Sequence, residues 1–386
     1  MKIINNDYKK DILLLLKQLV AFKTHYPPGH SVNIIKFIKN YLKKSNLDVK
    51  VYYEDKNKPC LIAKNFKGKK KSIVFNSHID TIKPNLEEWK TNPYFLKINK
   101  QTCVGLGAVN CKGSAAVQLY VAKNLNKLFP KNKENICFTF VVDEENLGRE
   151  GTFLIRKKKY INPHTLILGA PTSNSFITEE RGVLWAKITS QGKTSHAGEP
   201  NKGINAINKA SKIILKLNTT YKNLIKRFDF KKMKSTINIG LIKGGENTNV
   251  VPYICEFYVD RRLTLVENVN KSFNHLRNFI KKIDKKTKIK FLTGTNPFSS
   301  NRLNFYLKSL VSAYRMITKK REKFIDSIGV SDGRYFSNDK INIINFGPGN
   351  GNQGHKSNET LLKNELFLNY LILVEFLNLV NNSNNK

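Results

Sequence analysis

The chain has 386 residues and carries 67 Lys and Arg against 29 Asp and Glu, a formal net charge of +38. Hydrophobic residues make up 40% and charged residues 25%, enough apolar material for globular cores and, at this length, for two domains. This composition excludes a collagen-like chain, a wholly disordered chain and a disulfide-stapled mini-protein, and no apolar run approaches the roughly 20 residues that span a bilayer.

In chain order, residues 8–22 have apolar residues at helical spacing and break at Pro27-Pro28-Gly29. Residues 31–42 predict a second amphipathic helix, and 49–53 and 60–65 predict strands. Ser72-Ile73-Val74-Phe75-Asn76 predicts a short buried strand that runs into Ser77-His78-Ile79-Asp80. Residues 113–128 predict a helix. Residues 136–142 predict another apolar strand, followed by Asp143-Glu144-Glu145, and 165–168 a strand that ends in Gly169-Ala170-Pro171-Thr172. Strands alternating with helices predict an α/β domain with a mostly parallel sheet, whose site lies beyond the carboxyl ends of its strands.

From about residue 180 the texture changes. Residues 183–190 alternate like a half-exposed strand, followed by a helix at 205–217, strands at 236–242 and 254–259, and a helix at 269–283. This order predicts a small α+β domain of helices on an antiparallel sheet. The α/β texture returns after Gly294, with a strand at 341–346 and a final helix at 363–380. The expected organisation is therefore a catalytic domain of residues 1–179 and 294–386 with a lid of residues 180–293 inserted in it.

The basic excess is mostly Lys, spread over the whole length beside abundant Asn and Ile. These three residues share A/T-rich codons, so a biased genome yields the composition without a polyanion partner, and no specific nucleic-acid partner is expected. The five cysteines are an odd number with no CxxC spacing, which fits a reducing compartment. The first residues lack an apolar leader region, so a cytoplasmic chain without a membrane partner is expected.

Four clusters carry chemistry. His78 at a strand end has Asp80 two residues on, and a carboxylate behind a His fixes its tautomer and strengthens it as a metal ligand. Three adjacent acids, Asp143 to Glu145, repel one another and need a counter-cation or solvent. One of the Glu residues could bind a metal and its neighbour serve as general base. His355 lies in a Gly-rich loop and His196 on the turn Thr194-Ser195-His196-Ala197-Gly198. Taken alone, either is as well explained as a solvent-exposed loop residue.

Jointly, these segments resemble the acetylornithine deacetylase / succinyl-diaminopimelate desuccinylase family of zinc amidohydrolases. The resemblance spans nearly the whole chain. It rests on His78-x-Asp80, Trp89 with Asn92-Pro93, Gly105-x-Gly107-x-x-Asn110-x-Lys112-Gly113, Glu144-Glu145, Pro171-Thr172, Ser195-His196-Ala197, Asn249-Val250-Val251-Pro252, Asp260-x-Arg262 and Gly347-Pro348-Gly349 with His355. The resemblance implies a zinc-peptidase-like catalytic domain, a lid that dimerises, and a small N-acyl amino acid as substrate. It implies His78, Glu145 and His355 as metal ligands, Glu144 as the base and Asp80 behind His78. His196 would stabilise the oxyanion, typically in the partner's site. Arg334, in Ser331-Asp332-Gly333-Arg334, resembles an arginine that grips a substrate carboxylate. Asn249 and Arg262 lie on lid strands, as substrate contacts or as structural residues.

Two positions depart from the pattern. A metal-bridging Asp of the family matches Asn110, and a further Glu ligand matches Ala170. An amide offers one neutral oxygen, and Ala offers none. The expected metal content is one or two Zn²⁺ per chain, with Co²⁺ as the alternative. Asp143, Glu179, Glu180 and Cys111 are the candidate replacements, although strand alternation would turn Cys111 away from Asn110. The expected reaction is hydrolysis of an N-acyl amide in amino-acid biosynthesis. The rival reading is a catalytically reduced relative with a binding role.

Overall fold

The computed structural model describes residues 7–327 and 329–383. Those within Met1–Thr178, Ser300–Ile325 and Ser331–Lys386 form one compact unit, and those within Glu179–Ser299 and Asp326–Val330 a second.

The first unit is built on a six-stranded sheet. Its strands run in the order Asn342–Asn345, Pro163–Leu168, Ser72–His78, Ile136–Val141, Cys60–Lys64 and Asp48–Tyr52. The first four are mutually parallel and the last two antiparallel, so the sheet is mixed with a parallel centre. Ser72–His78 sits between two parallel neighbours and is buried at every residue. That is why the consecutive residues Ile73, Val74 and Phe75 are all apolar rather than alternating with polar ones. Phe75 pairs across to Phe138, their rings stacked at 5.2 Å, and Phe376 of the final helix meets Phe75 edge-on. Each such side chain contributes roughly 1.5–3 kcal/mol by burial. The long helices are Tyr8–Ala21, Val32–Leu42, Gly113–Leu128, Phe305–Thr318 and Lys363–Asn382. The carboxyl ends of the four parallel strands deliver His78, the Asp143–Glu145 acids, Ala170 and the Gly347 loop.

The second unit is a four-stranded antiparallel sheet in the order Thr236–Gly244, Ile254–Leu263, Gly182–Gln191 and Lys288–Thr295. The helices Ala206–Lys216 and Val269–Ile283 cover it, joining Ile188, Phe257, Val259, Ile213, Leu276 and Ile280 in one core. Gly182–Gln191 alternates buried and half-buried residues as a one-faced strand should. Arg261 is fully buried in this unit and pairs with Glu267 at 2.5 Å.

The structure corrects the sequence reading in two places. The strand Lys288–Thr295 runs through the expected boundary at 294, and the second unit continues to Ser299. Its lysines sit on an exposed edge strand, where charge disguises the pairing. The helix Phe305–Thr318 has no counterpart in that reading. Asn304 caps it by accepting from the N–H groups of Tyr306 and Leu307, and it packs on the final helix. Among the described residues no helix is long and apolar enough to cross a membrane.

Candidate active site

The site is assembled at the carboxyl end of the parallel strands of the first unit. His78 closes the central strand. Its Nδ1 lies 3.1 Å from the backbone oxygen of Asp80 and 3.4 Å from that residue's carboxylate. The other carboxylate oxygen of Asp80 accepts the N–H of Glu145 at 3.1 Å. Asp80 therefore sets both the ring of His78 and the turn that carries Glu145. Burial alone would lower the His78 pKa, but hydrogen bonding to Asp80 and the fields of Cys111, Glu144 and Asp80 leave it well above the ordinary value.

Asn110 is brought in by the loop before the helix Gly113–Leu128. Gly107 turns this loop at φ +76°, and a Cβ there would meet the Thr81 methyl at 2.6 Å. The buried carboxylate of Glu359 accepts the N–H groups of Gly107, Val109 and Asn110, each at 2.7 Å. Burial pushes Glu359 up to about 7 against the pull of these N–H groups. The Asn110 side chain then stands among the expected ligands. Its Nδ2 donates to Glu145 at 2.7 Å and lies 3.2 Å from His355 Nε2, while its Oδ1 lies 3.4 Å from His78 Nε2. A flipped amide would set an oxygen against the Glu145 carboxylate, so the Glu145 contact fixes its orientation. His355 Nε2 is 2.8 Å from Glu145, and this contact, ahead of burial, determines that the histidine's pKa is raised.

The three acids after the strand Ile136–Val141 diverge. Asp143, at φ +65°, turns to Lys58 at 2.9 Å and accepts the N–H of Glu150. Glu144 Oε2 is 3.9 Å from His78 Nε2, and its Oε1 accepts from Arg334 at 3.2 Å. Glu145 meets Asn110 and His355, and burial raises its pKa. His78, Glu144 and Glu145 each offer one ligand atom, all within 4.8 Å of one another.

The structure thus brings His78, Asp80, Asn110, Glu144, Glu145, His355 and Arg334 together. Several sequence expectations change. Asp143 is held by Lys58 and is not a replacement ligand. Cys111 lies in an irregular turn rather than a strand, yet its buried thiol still faces away, towards the carbonyl of Gly169. Glu179 and Glu180 belong to the second unit, where Glu179 pairs with Lys231. The Arg334 guanidinium is buried between Glu144 and Asp332 and presents no free fork to a substrate carboxylate. Asp332 and Thr152 are supporting residues that sequence reasoning passed over. The acid beside the arginine in Ser331-Asp332-Gly333-Arg334 was the available signal for the first.

His196, Asn249 and Arg262 lie in the second unit. His196 is exposed, and its Nδ1 accepts the N–H of Gly198 at 3.0 Å. The carbonyl of Asn249 accepts the N–H of Ala197. Arg262 forks onto Asp260 at 2.9 and 3.0 Å, and Asp260 also accepts from Trp185 at 2.7 Å. These contacts give Arg262 an internal partner on the sheet.

The donor set fits one divalent cation. His78 and Glu145 offer an imidazole and a carboxylate, a ligand set that zinc and cobalt accept, with the Glu144 carboxylate beside them. A second cation fits less well. Glu145 and His355 would hold it, but Asn110 has only one neutral amide oxygen to offer, and Ala170 supplies no donor.

Residues 178–288 match the M20 peptidase dimerisation domain. The chain is 29% identical over 327 residues to a succinyl-diaminopimelate desuccinylase of Buchnera aphidicola, covering 81% of this chain and 85% of that protein. It is 26% identical over 259 residues to an acetylornithine deacetylase of Aliivibrio fischeri, covering 66% and 68%. An M20 family metallo-carboxypeptidase from Sulfolobus solfataricus superposes with a TM-score of 0.76 at 18% identity, covering 95% of this chain and 98% of that one. The chain is a relative of the acetylornithine deacetylases and succinyl-diaminopimelate desuccinylases, and has the M20 metallopeptidase fold with its dimerisation domain.

Proposed function

We propose that this member of a family of metal-dependent hydrolases cleaves the N-acyl amide of an acylated amino acid of the succinyl-diaminopimelate or acetylornithine type. The observation that carries this reading is the cluster of His78, Glu144 and Glu145, three ligand-type side chains gathered at a strand end with Asp80 behind the histidine. A divalent cation held by His78 and Glu145 would supply the polarisation of water and of the amide oxygen. Glu144 removes the proton of the attacking water through Oε2, the oxygen not engaged by Arg334, and returns it to the leaving amine. Asp80 fixes the His78 ring, and Glu359 fixes the loop that places Asn110.

The test is turnover of N-succinyl-L,L-diaminopimelate and N-acetyl-L-ornithine by the purified chain. One of the two is expected to be hydrolysed, with loss of activity on dialysis against a chelator and recovery with Zn²⁺ or Co²⁺. Activity that survives complete metal removal would rule this reading out.

The dimerisation domain supports a homodimer, and the reading assigns His196 to the oxyanion of the partner's substrate. Mixing His196→Ala chains with Glu144→Gln chains should then restore part of the activity, because one site of each mixed dimer holds both native residues. Proven mixed dimers without recovery would place His196 outside the partner's reaction.

A further inference from the structure

Arg334 is a buried cation with several internal partners. One terminal nitrogen donates to Glu144 at 3.2 Å. The other lies 3.2 Å from Asp332 and donates to the Tyr335 hydroxyl at 3.1 Å. That hydroxyl in turn donates to the Gly148 carbonyl at 2.7 Å. Asp332 accepts from the Thr152 hydroxyl at 2.5 Å, and Thr152 accepts from Asn76 of the central strand at 3.0 Å. The Arg334 side chain is only 2% exposed and its guanidinium lies 4.5 Å over the Tyr335 ring.

From this connectivity we propose that Arg334 is a positioning residue for Glu144, with Asp332, Thr152 and Asn76 tying it to the sheet, and that it does not bind a substrate carboxylate. The inference rests on the hydrolase reading for its kinetic consequence, but the geometry stands without it. Glu144 and Asp332 already take both terminal nitrogens of the arginine. A third carboxylate would reach the guanidinium only by displacing one of them, leaving that carboxylate without its partner. What the arginine does achieve is to occupy Oε1 of Glu144, leaving Oε2 directed at His78 as the proton-accepting oxygen. A lysine in its place is a point charge on a flexible stem and cannot bridge Glu144, Asp332 and the Tyr335 hydroxyl as the planar fork does.

Two measurements test this. The first is kinetics of the native chain, Arg334→Lys, Glu144→Gln and the double variant on whichever acyl amino acid is hydrolysed, with melting curves to confirm folding. A positioning role predicts that Arg334→Lys lowers kcat on the order of tenfold to a hundredfold with KM changed by less than about threefold, and that the double variant is no slower than Glu144→Gln alone. A KM raised about tenfold or more at constant kcat, or losses that multiply in the double variant, would overturn it. The second measurement needs no turnover. A crystal structure of Arg334→Lys should show the Glu144 carboxylate rotated from its present orientation, and an unmoved carboxylate would overturn the proposal. A native chain that hydrolyses neither substrate counts against the hydrolase reading alone, and the crystal comparison still decides the role of Arg334.

Discussion

Glu144→Gln is expected to leave the fold and the bound metal intact while lowering turnover by about 10²–10⁴-fold, the usual contribution of a general base. The change is nearly isosteric. Gln keeps an oxygen that can accept from Arg334, so the buried relay to Asp332 retains a partner. What is lost is the carboxylate oxygen that faces His78 Nε2 from 3.9 Å and would take the proton. The loss is felt twice, because the same group returns the proton to the leaving amine. The experiment compares kcat for a correctly folded variant of matched metal content with the native chain. Turnover within a few-fold of native would remove Glu144 from the mechanism.

The second large effect is on metal content. Asn110→Asp with Ala170→Glu should raise the number of bound zinc ions from one to two per chain. In the native chain the Asn110 amide reconciles Glu145 and His355 by donating to the first and lying beside the second. Asp at 110 would set carboxylate against carboxylate at about the same separation as the present 2.7 Å contact. Without a cation this is repulsive, and with a cation between the groups it becomes a ligand set. Glu at 170 adds a carboxylate after the strand Pro163–Leu168. The metal-free variant should therefore melt below the metal-free native chain and gain more in melting temperature when zinc is added, since a ligand that binds only the folded state stabilises it. A variant that binds no more zinc and melts like the native chain would show that Asn110 and Ala170 do not limit occupancy. Faster turnover is not required, because the remaining residues are arranged around the smaller site.

Much of this arrangement was legible in the sequence, for physical reasons that also mark where legibility ended. The central strands announce themselves because burial on both faces favours consecutive apolar residues, as at 73–75 and 136–138. The one-faced sheet of the second unit showed as alternation in Gly182–Gln191. Lys288–Thr295 escaped because an edge strand facing solvent can carry lysines at alternate positions, which hides the strand signal. Phe305–Thr318 escaped although Asn304 marks its start, since the first turn has no acidic residue to reinforce that signal.

Within the site, the polar residues at the strand ends could be picked out because parallel sheets expose them there. Their partners could not. Arg334 and Glu144 are 190 residues apart, and a guanidinium motif alone does not tell an internal carboxylate from one on a substrate. Burial made the difference. Glu359 is similar, since three backbone N–H groups converge on it only after the loop from Gly107 to Asn110 has folded. Asp143 shows the opposite case. Adjacent to Glu144 and Glu145 it looks like part of one acidic cluster, yet its positive φ and Lys58 carry it away.

The site as built has one competent set of ligands, with an amide where a second cation would need a bridging carboxylate. The most direct test is to count zinc in the native chain after exhaustive dialysis, by elemental analysis against protein concentration. The account predicts about one tightly held ion per chain, lost when His78→Ala removes the imidazole. Two tightly held ions per native chain, or none, would contradict it.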